Sequence, residues 1–170
     1  MIDTGLLLAR VVFGPLMAAH GAQKLFGWLG GYGIAGTGGF FEKLGFHPGR
    51  VFATAVGLSE FGGGLLVAIG LVGPIGPALV LAVMIVAAFS VHWQNGLFAT
   101  SNGIELTLVY AAGVTALALT GPGRYSLDAL FDIASVWTPA LTWSALGVGV
   151  LGGVANLAAR RTPVRATTTA

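Results

Sequence analysis

Five long apolar runs, separated by connections rich in glycine and proline, make up most of this 170-residue chain. The second run carries a glutamate, Glu60, near its middle. About 20 apolar residues wound as a helix cross the ~30 Å hydrocarbon layer of a bilayer, and only closed hydrogen-bonding structures survive there. The runs therefore predict an all-α membrane protein. A carboxylate inside that layer costs about 2.5–3.5 kcal/mol even on lenient insertion scales, so Glu60 is expected to face a bundle interior and to have a partner. The composition agrees: 55% of residues are hydrophobic and 8% charged, whereas soluble domains carry about 25% charged residues. A formal net charge of +2, with no basic stripe, excludes a nucleic-acid partner. The chain has no cysteine, so disulfides, thiolate nucleophiles and Cys-ligated clusters are excluded. Any redox role has to come through a bound cofactor or a partner.

The first span is expected over about Gly5 to Trp28, and its Arg10, His20 and Lys24 argue for a retained span rather than a cleaved signal peptide. The glycine-rich stretch from Gly27 to Gly49 reads as a loop with a short interfacial or re-entrant segment. The second span covers about Val51 to Leu71, the third Ala78 to His92 and the fourth Ile104 to Thr120. Gly121-Pro122-Gly123 breaks the chain, and Ser126 is placed to cap a short amphipathic helix within about residues 124–134. Asp128 lies in its first turn, and Leu127, Leu130, Phe131 and Ala134 share a face expected to lie along the membrane surface. Residues 138–159 predict a fifth transmembrane helix, followed at 160–170 by a basic, polar tail read as disordered and cytoplasmic. Five spans put Lys24, Lys43, Arg50, Arg160, Arg161 and Arg165 on one side, against Arg124 and Arg10 toward the other. The excess of basic residues predicts an N-terminus outside and a cytoplasmic C-terminus. Trp28 and Trp93 would mark the inner interface, Trp137 and Trp143 the outer one.

Helical spacing puts Arg10, Gly14, Met17, Gly21 and Lys24 on one stripe of the first span, with His20 on its flank. Gly57, Glu60 and Gly64 share a face of the second, and small residues on such faces let helices approach closely. His92 ends the third span and Glu105 opens the fourth at the same end as Lys24. Arg10, His20, Lys24, Glu60, His92 and Glu105 thus form the candidate intramembrane polar or ligand-binding site. The competing interpretation is that these charges pair to hold helices together, with Lys24 an interfacial anchor. The histidines and glutamates show no H-x-x-x-H or E-x-x-H spacing, so neither a metal site nor a haem is expected. Two G-x-G-x-x-G matches, at Gly31–Gly36 and Gly147–Gly152, lack the strand that a dinucleotide fold requires. Gly149 and Gly153 suit close helix packing or self-association.

These residues resemble the DoxX family of small bacterial membrane proteins. The resemblance lies in Arg10-Val-Val-Phe-Gly14, His20-Gly-Ala-Gln-Lys24-Leu-Phe-Gly27, Phe41-Glu-Lys-Leu-Gly45 and Glu60-Phe-Gly-Gly63. It continues in Glu105 and in Gly121-Pro-Gly123-Arg-Tyr-Ser126-Leu-Asp128, and so covers about residues 5 to 132. It implies a four-helix transmembrane bundle over residues 1–134, to which the fifth run at 138–159 is an addition. The Gly121, Gly123, Ser126 and Asp128 motif is read as structural. The resemblance also implies the bacterial cytoplasmic membrane and an association with redox or oxidative-stress metabolism, as a subunit of an oxidoreductase complex. A quinone-like molecule would be the ligand, membrane lipids the surroundings, and a redox enzyme or a second copy of the chain the partner. No autonomous catalytic motif is present. The alternatives are a small-solute or proton carrier and a non-catalytic scaffold or assembly factor.

Overall fold

A computed structural model describes residues 1–161 of the chain, and among them every regular element is helical. Helix α1 runs Ile2–Phe26, α2 Gly33–Lys43, α3 Gly49–Ile69, α4 Ile75–Ala87, α5 Glu105–Thr120, α6 Leu127–Leu130 and α7 Pro139–Ala158. Helix α4 continues through a π-turn at Ala88–His92 and a 3₁₀ turn at Trp93–Asn95. With that extension four helices are long and apolar enough to cross a bilayer: α1, α3, Ile75–Asn95 and α7. Helix α5, with 16 residues, is about 24 Å long and packs within the same bundle against α4 and α1.

Backbone contact organises the α1–α3 pair. A Cβ added at Gly14 would sit 2.6 Å from the backbone nitrogen of Ala68, and one at Gly64 would sit 2.5 Å from that of Ala18. The two helices therefore meet main chain to main chain, which the absent side chains at Gly14, Gly21, Gly57 and Gly64 allow. Helix α4 lies at the centre, between α3, α5 and α7. Its Val80, Leu81, Val83 and Met84 form the main core with Met17, Val114, Ala118 and Leu146. Gly149 and Gly153 of α7 abut Ala78 and Ala82 of α4, so this small-residue pair serves packing within the chain. A second cluster, Phe41, Phe46, Ala53 and Val86 with Leu157, joins α2 to the far ends of α4 and α7.

Three regions depart from the sequence expectation. The glycine-rich connection forms an 11-residue helix, α2, because Thr37, Gly38 and Phe41 bury against α3 and outweigh the weak helix propensity of glycine. The amphipathic segment near 124–134 shrinks to the single turn α6: Asp132 enters the left-handed region at φ 56°, and Ile133 N–H donates back to the Asp128 carbonyl at 2.9 Å. Ser126 does cap that turn, its Oγ accepting from Ala129 N–H at 3.1 Å. The start of the tail is docked: Arg161 N–H donates to Gly45 O at 2.8 Å, and Arg160 Nε donates to Leu44 O. Arg165 lies outside the described residues. Trp137 packs against Gly73 in the α3–α4 turn, while Trp28, Trp93 and Trp143 are exposed.

Candidate intramembrane site

Lys24, in the last turn of α1, places Nζ 2.6 Å from Glu60 Oε2 on α3. The glycine contacts put these two backbones close enough for a lysine to reach a carboxylate across the seam: Gly57, one turn before Glu60, packs on Leu25 and Lys24. Glu60 is only 4% exposed, and its Oε2 lies within charge-assisted hydrogen-bond range of the Lys24 ammonium. Two cavities flank it. One of about 220 Å³ is lined by Lys24, Glu60 and His92 with His20, Met17, Met84, Thr107 and Tyr110. The other, of about 200 Å³, lies on the α2 side with Phe40, Phe41 and Ser90.

His92 enters both cavity walls by way of the π-turn, which rotates the end of α4 relative to a regular helix. Ser90 fills the widened turn and donates to Val86 O at 2.6 Å. His92 Nδ1 lies 2.8 Å from Asn102 O; a carbonyl only accepts, so Nδ1 carries a proton, and in the neutral ring Nε2 is the acceptor. Of the lining residues, His20 of α1 and Leu106 of α5 are exposed, and they mark the outer edge of the cavity. Toward the other end of this seam, Phe13 and Tyr110 meet edge to face at 5.4 Å.

Four of the six candidate residues, His20, Lys24, Glu60 and His92, line this one cavity. Arg10 and Glu105 are elsewhere. Arg10, 2% exposed, donates from Nη2 to Tyr125 O at the opposite end of α1. Lys24 lies fourteen positions after Arg10, about 21 Å along a helix, so a shared stripe does not make a shared site. Beside Arg10 lies the Gly121–Asp128 motif. Asp128, fully buried, accepts from Val72 and Gly73 N–H, each at 2.7 Å, and thereby ties the α3–α4 turn to α6. Gly70 ends α3 at φ 64°, and a Cβ there would strike the Arg10 guanidinium. Glu105 Oε2 accepts from Ala99 N–H at 2.7 Å in the α4–α5 connection. Met84, Thr107, Tyr110 and the Asn102 carbonyl were not singled out from sequence. The helical spacing of Thr107 and Tyr110 on α5 is a sequence signal for those two alone.

Among the described residues no cluster of metal-ligating side chains occurs. The DoxX family model matches residues 5–93. The chain is also 31% identical over 130 residues to the inner membrane protein YqjF of Escherichia coli (strain K12), an alignment covering 76% of this chain and 94% of that relative. No solved structure matches. The helical bundle, the family match and this near full-length relative agree, and the chain belongs to the DoxX family as a multi-pass protein of the inner membrane.

Proposed function

We propose that the protein is a redox-associated membrane subunit whose cavity beside Lys24 and Glu60 binds the ring of a quinone-like molecule. The observation that carries this reading is the composition of the wall: two histidines, a lysine and a buried glutamate from three helices, among Met17, Met84 and Tyr110. A volume of about 220 Å³ is below the ~300–1,000 Å³ typical of sites for drug-sized ligands. It suits a single ring, with an apolar tail leaving past His20 and Leu106 into lipid. Lys24 would donate to a ring carbonyl, and His92 Nε2 would accept from the hydroxyl of the reduced form. Quinone chemistry moves protons with electrons, and the Lys24–Glu60 pair supports that exchange. A partner enzyme would supply the electrons.

The packing reading keeps one observation in its favour, because a 2.6 Å ion pair between α1 and α3 also braces the bundle. A carrier is less favoured, since backbone contact at Gly14 and Gly64 fills the seam between Glu60 and Arg10. Native mass spectrometry with small-molecule identification, on gently purified protein and on Glu60→Gln, tests the assignment. A discrete quinone lost in a folded variant supports it; bulk lipid alone in the wild type sinks it and leaves the scaffold. We also propose that the end bearing Lys24, Lys43, Arg50, Arg160 and Arg161 faces the cytoplasm. A C-terminal fusion to a fluorescent protein that folds only in the cytoplasm should then be bright, and a dark, well-expressed fusion reverses the orientation.

A further inference from the structure

Glu105 stands outside the cavity, yet its hydrogen bonds lead back into it. Its carboxylate accepts from Ala99 N–H at 2.7 Å, and its own N–H donates to Leu97 O at 2.8 Å. Ala99 opens a 3₁₀ turn, Ala99–Ser101, that ends at Asn102 in the left-handed region, φ 61°, a conformation asparagine tolerates better than most residues. Asn102 N–H donates to Ala99 O at 2.9 Å. The carbonyl of Asn102 consequently points back at α4, where it accepts from His92 Nδ1 at 2.8 Å and from Asn95 Nδ2 at 3.3 Å. Every link from the Glu105 carboxylate to the His92 ring is a hydrogen bond or a single tight turn.

We propose that Glu105 is a positioning residue for His92: through the Ala99–Asn102 turn it fixes the carbonyl that holds the imidazole as its Nδ1–H tautomer, leaving Nε2 as the acceptor at the cavity wall. The use made of that acceptor rests on the quinone-like reading above; the positioning itself does not. A free imidazole samples both tautomers and rotates about its side-chain bonds. An acceptor with one fixed proton arrangement loses less freedom when a hydroxyl binds, which is how residues that hold a ring nitrogen tune a site. The widened turn at Ala88–His92 brings the ring to this place, and Glu105 keeps it oriented there.

The test uses the full chain in lipid nanodiscs with ¹⁵N-labelled histidine. The sequence has three histidines, so His20→Gln and His47→Gln assign the His92 signals. In the wild type Nδ1 should give the resonance of a protonated nitrogen and Nε2 that of a bare one. Glu105→Ala should move both toward the averaged positions of exchanging tautomers, while Glu105→Gln, whose amide oxygen still accepts, should restore the wild-type pattern. Ala99→Pro deletes the donating N–H without touching Glu105, and Phe98 already has the extended backbone that a following proline requires. It should reproduce the Glu105→Ala shift and carries the same expectation where Glu105→Ala fails to fold. A purely structural role would lower the melting temperature with the His92 signals unmoved. That result in a folded Glu105→Ala or Ala99→Pro protein overturns the proposal, as does a wild-type proton on Nε2. A ring-only benzoquinone probe keeps the two readings apart. If it fails to bind the wild type, the ligand assignment falls and the tautomer result stands; if it binds, Glu105→Ala should weaken it about fivefold.

Discussion

At 4% exposure Glu60 is enclosed, whereas a quarter of the Lys24 side chain remains accessible. The two halves of the pair should therefore respond unequally to substitution. Lys24→Met strands a buried carboxylate and is expected to cost about 3 kcal/mol, the lower part of the range for a broken buried pair. Glu60→Gln should cost clearly less, because the lysine can extend toward the interface. Denaturant or thermal unfolding in one detergent compares them, and an equal loss would mean that the pair is not asymmetrically buried. Asp128 is a different kind of buried acid. Both its oxygens already accept backbone N–H groups at 2.7 Å, so Asp128→Asn turns an amide NH₂ toward a donor. That should cost about 2 kcal/mol in unfolding free energy while leaving unchanged any binding of the ligand proposed for the distant cavity.

Among the elements, the seam between α1 and α3 is the most sensitive to added atoms. Gly64→Ala would normally gain up to about 1 kcal/mol of helix propensity, but here its Cβ meets Ala18 N at 2.5 Å and Gly14 O at 2.6 Å. The expected sign is reversed: a loss of about 1–3 kcal/mol from overpacking. Gly147→Ala, with nothing within 4 Å of its Cβ, should be neutral or stabilising in the same unfolding assay. This seam was legible in the sequence, since the small-residue stripes with Gly14 and Gly21 on α1 and Gly57 and Gly64 on α3 follow from periodicity; that Glu60 needs a partner was legible too, but not that Lys24 is the one. Periodicity puts Arg10 on the Lys24 stripe but at the opposite end of the span, and the structure pairs it there with the Tyr125 carbonyl instead of with the cavity. The stretch from Gly27 to Gly49 showed in sequence only as a loop with a short segment, because packing against α3 makes the helix Gly33–Lys43 against glycine's propensity; the π-turn at Ala88–His92 has no counterpart in the sequence reading. Glu105 looked like a cavity residue because its position at the mouth is visible in sequence, while the direction of its carboxylate is decided by the Ala99 amide.

For the molecule as a whole, the central α4 is held by α3, α5 and α7, and α7 is fastened at its far end by Arg160 and Arg161 on the Leu44–Gly45 loop. With α4 counted through its extension to Asn95, α5 is the shortest of the five bundle helices, and it is bounded by Gly103 and Gly121. Local opening should concentrate where buried contacts are fewest, so hydrogen exchange in nanodiscs should be faster along α5 than along α1 or α3. Equal protection across the three would contradict this ordering. The main-chain contact between α1 and α3 then has a mechanical consequence. These helices cannot separate or slide without breaking backbone contacts at Gly14, Gly21 and Gly64, so the charged pair is mounted on a fixed jaw. Under the ligand reading proposed above, α5, which carries Thr107 and Tyr110 in the cavity wall, is the opposing side, and the stiffness of its two ends would set how large a guest fits.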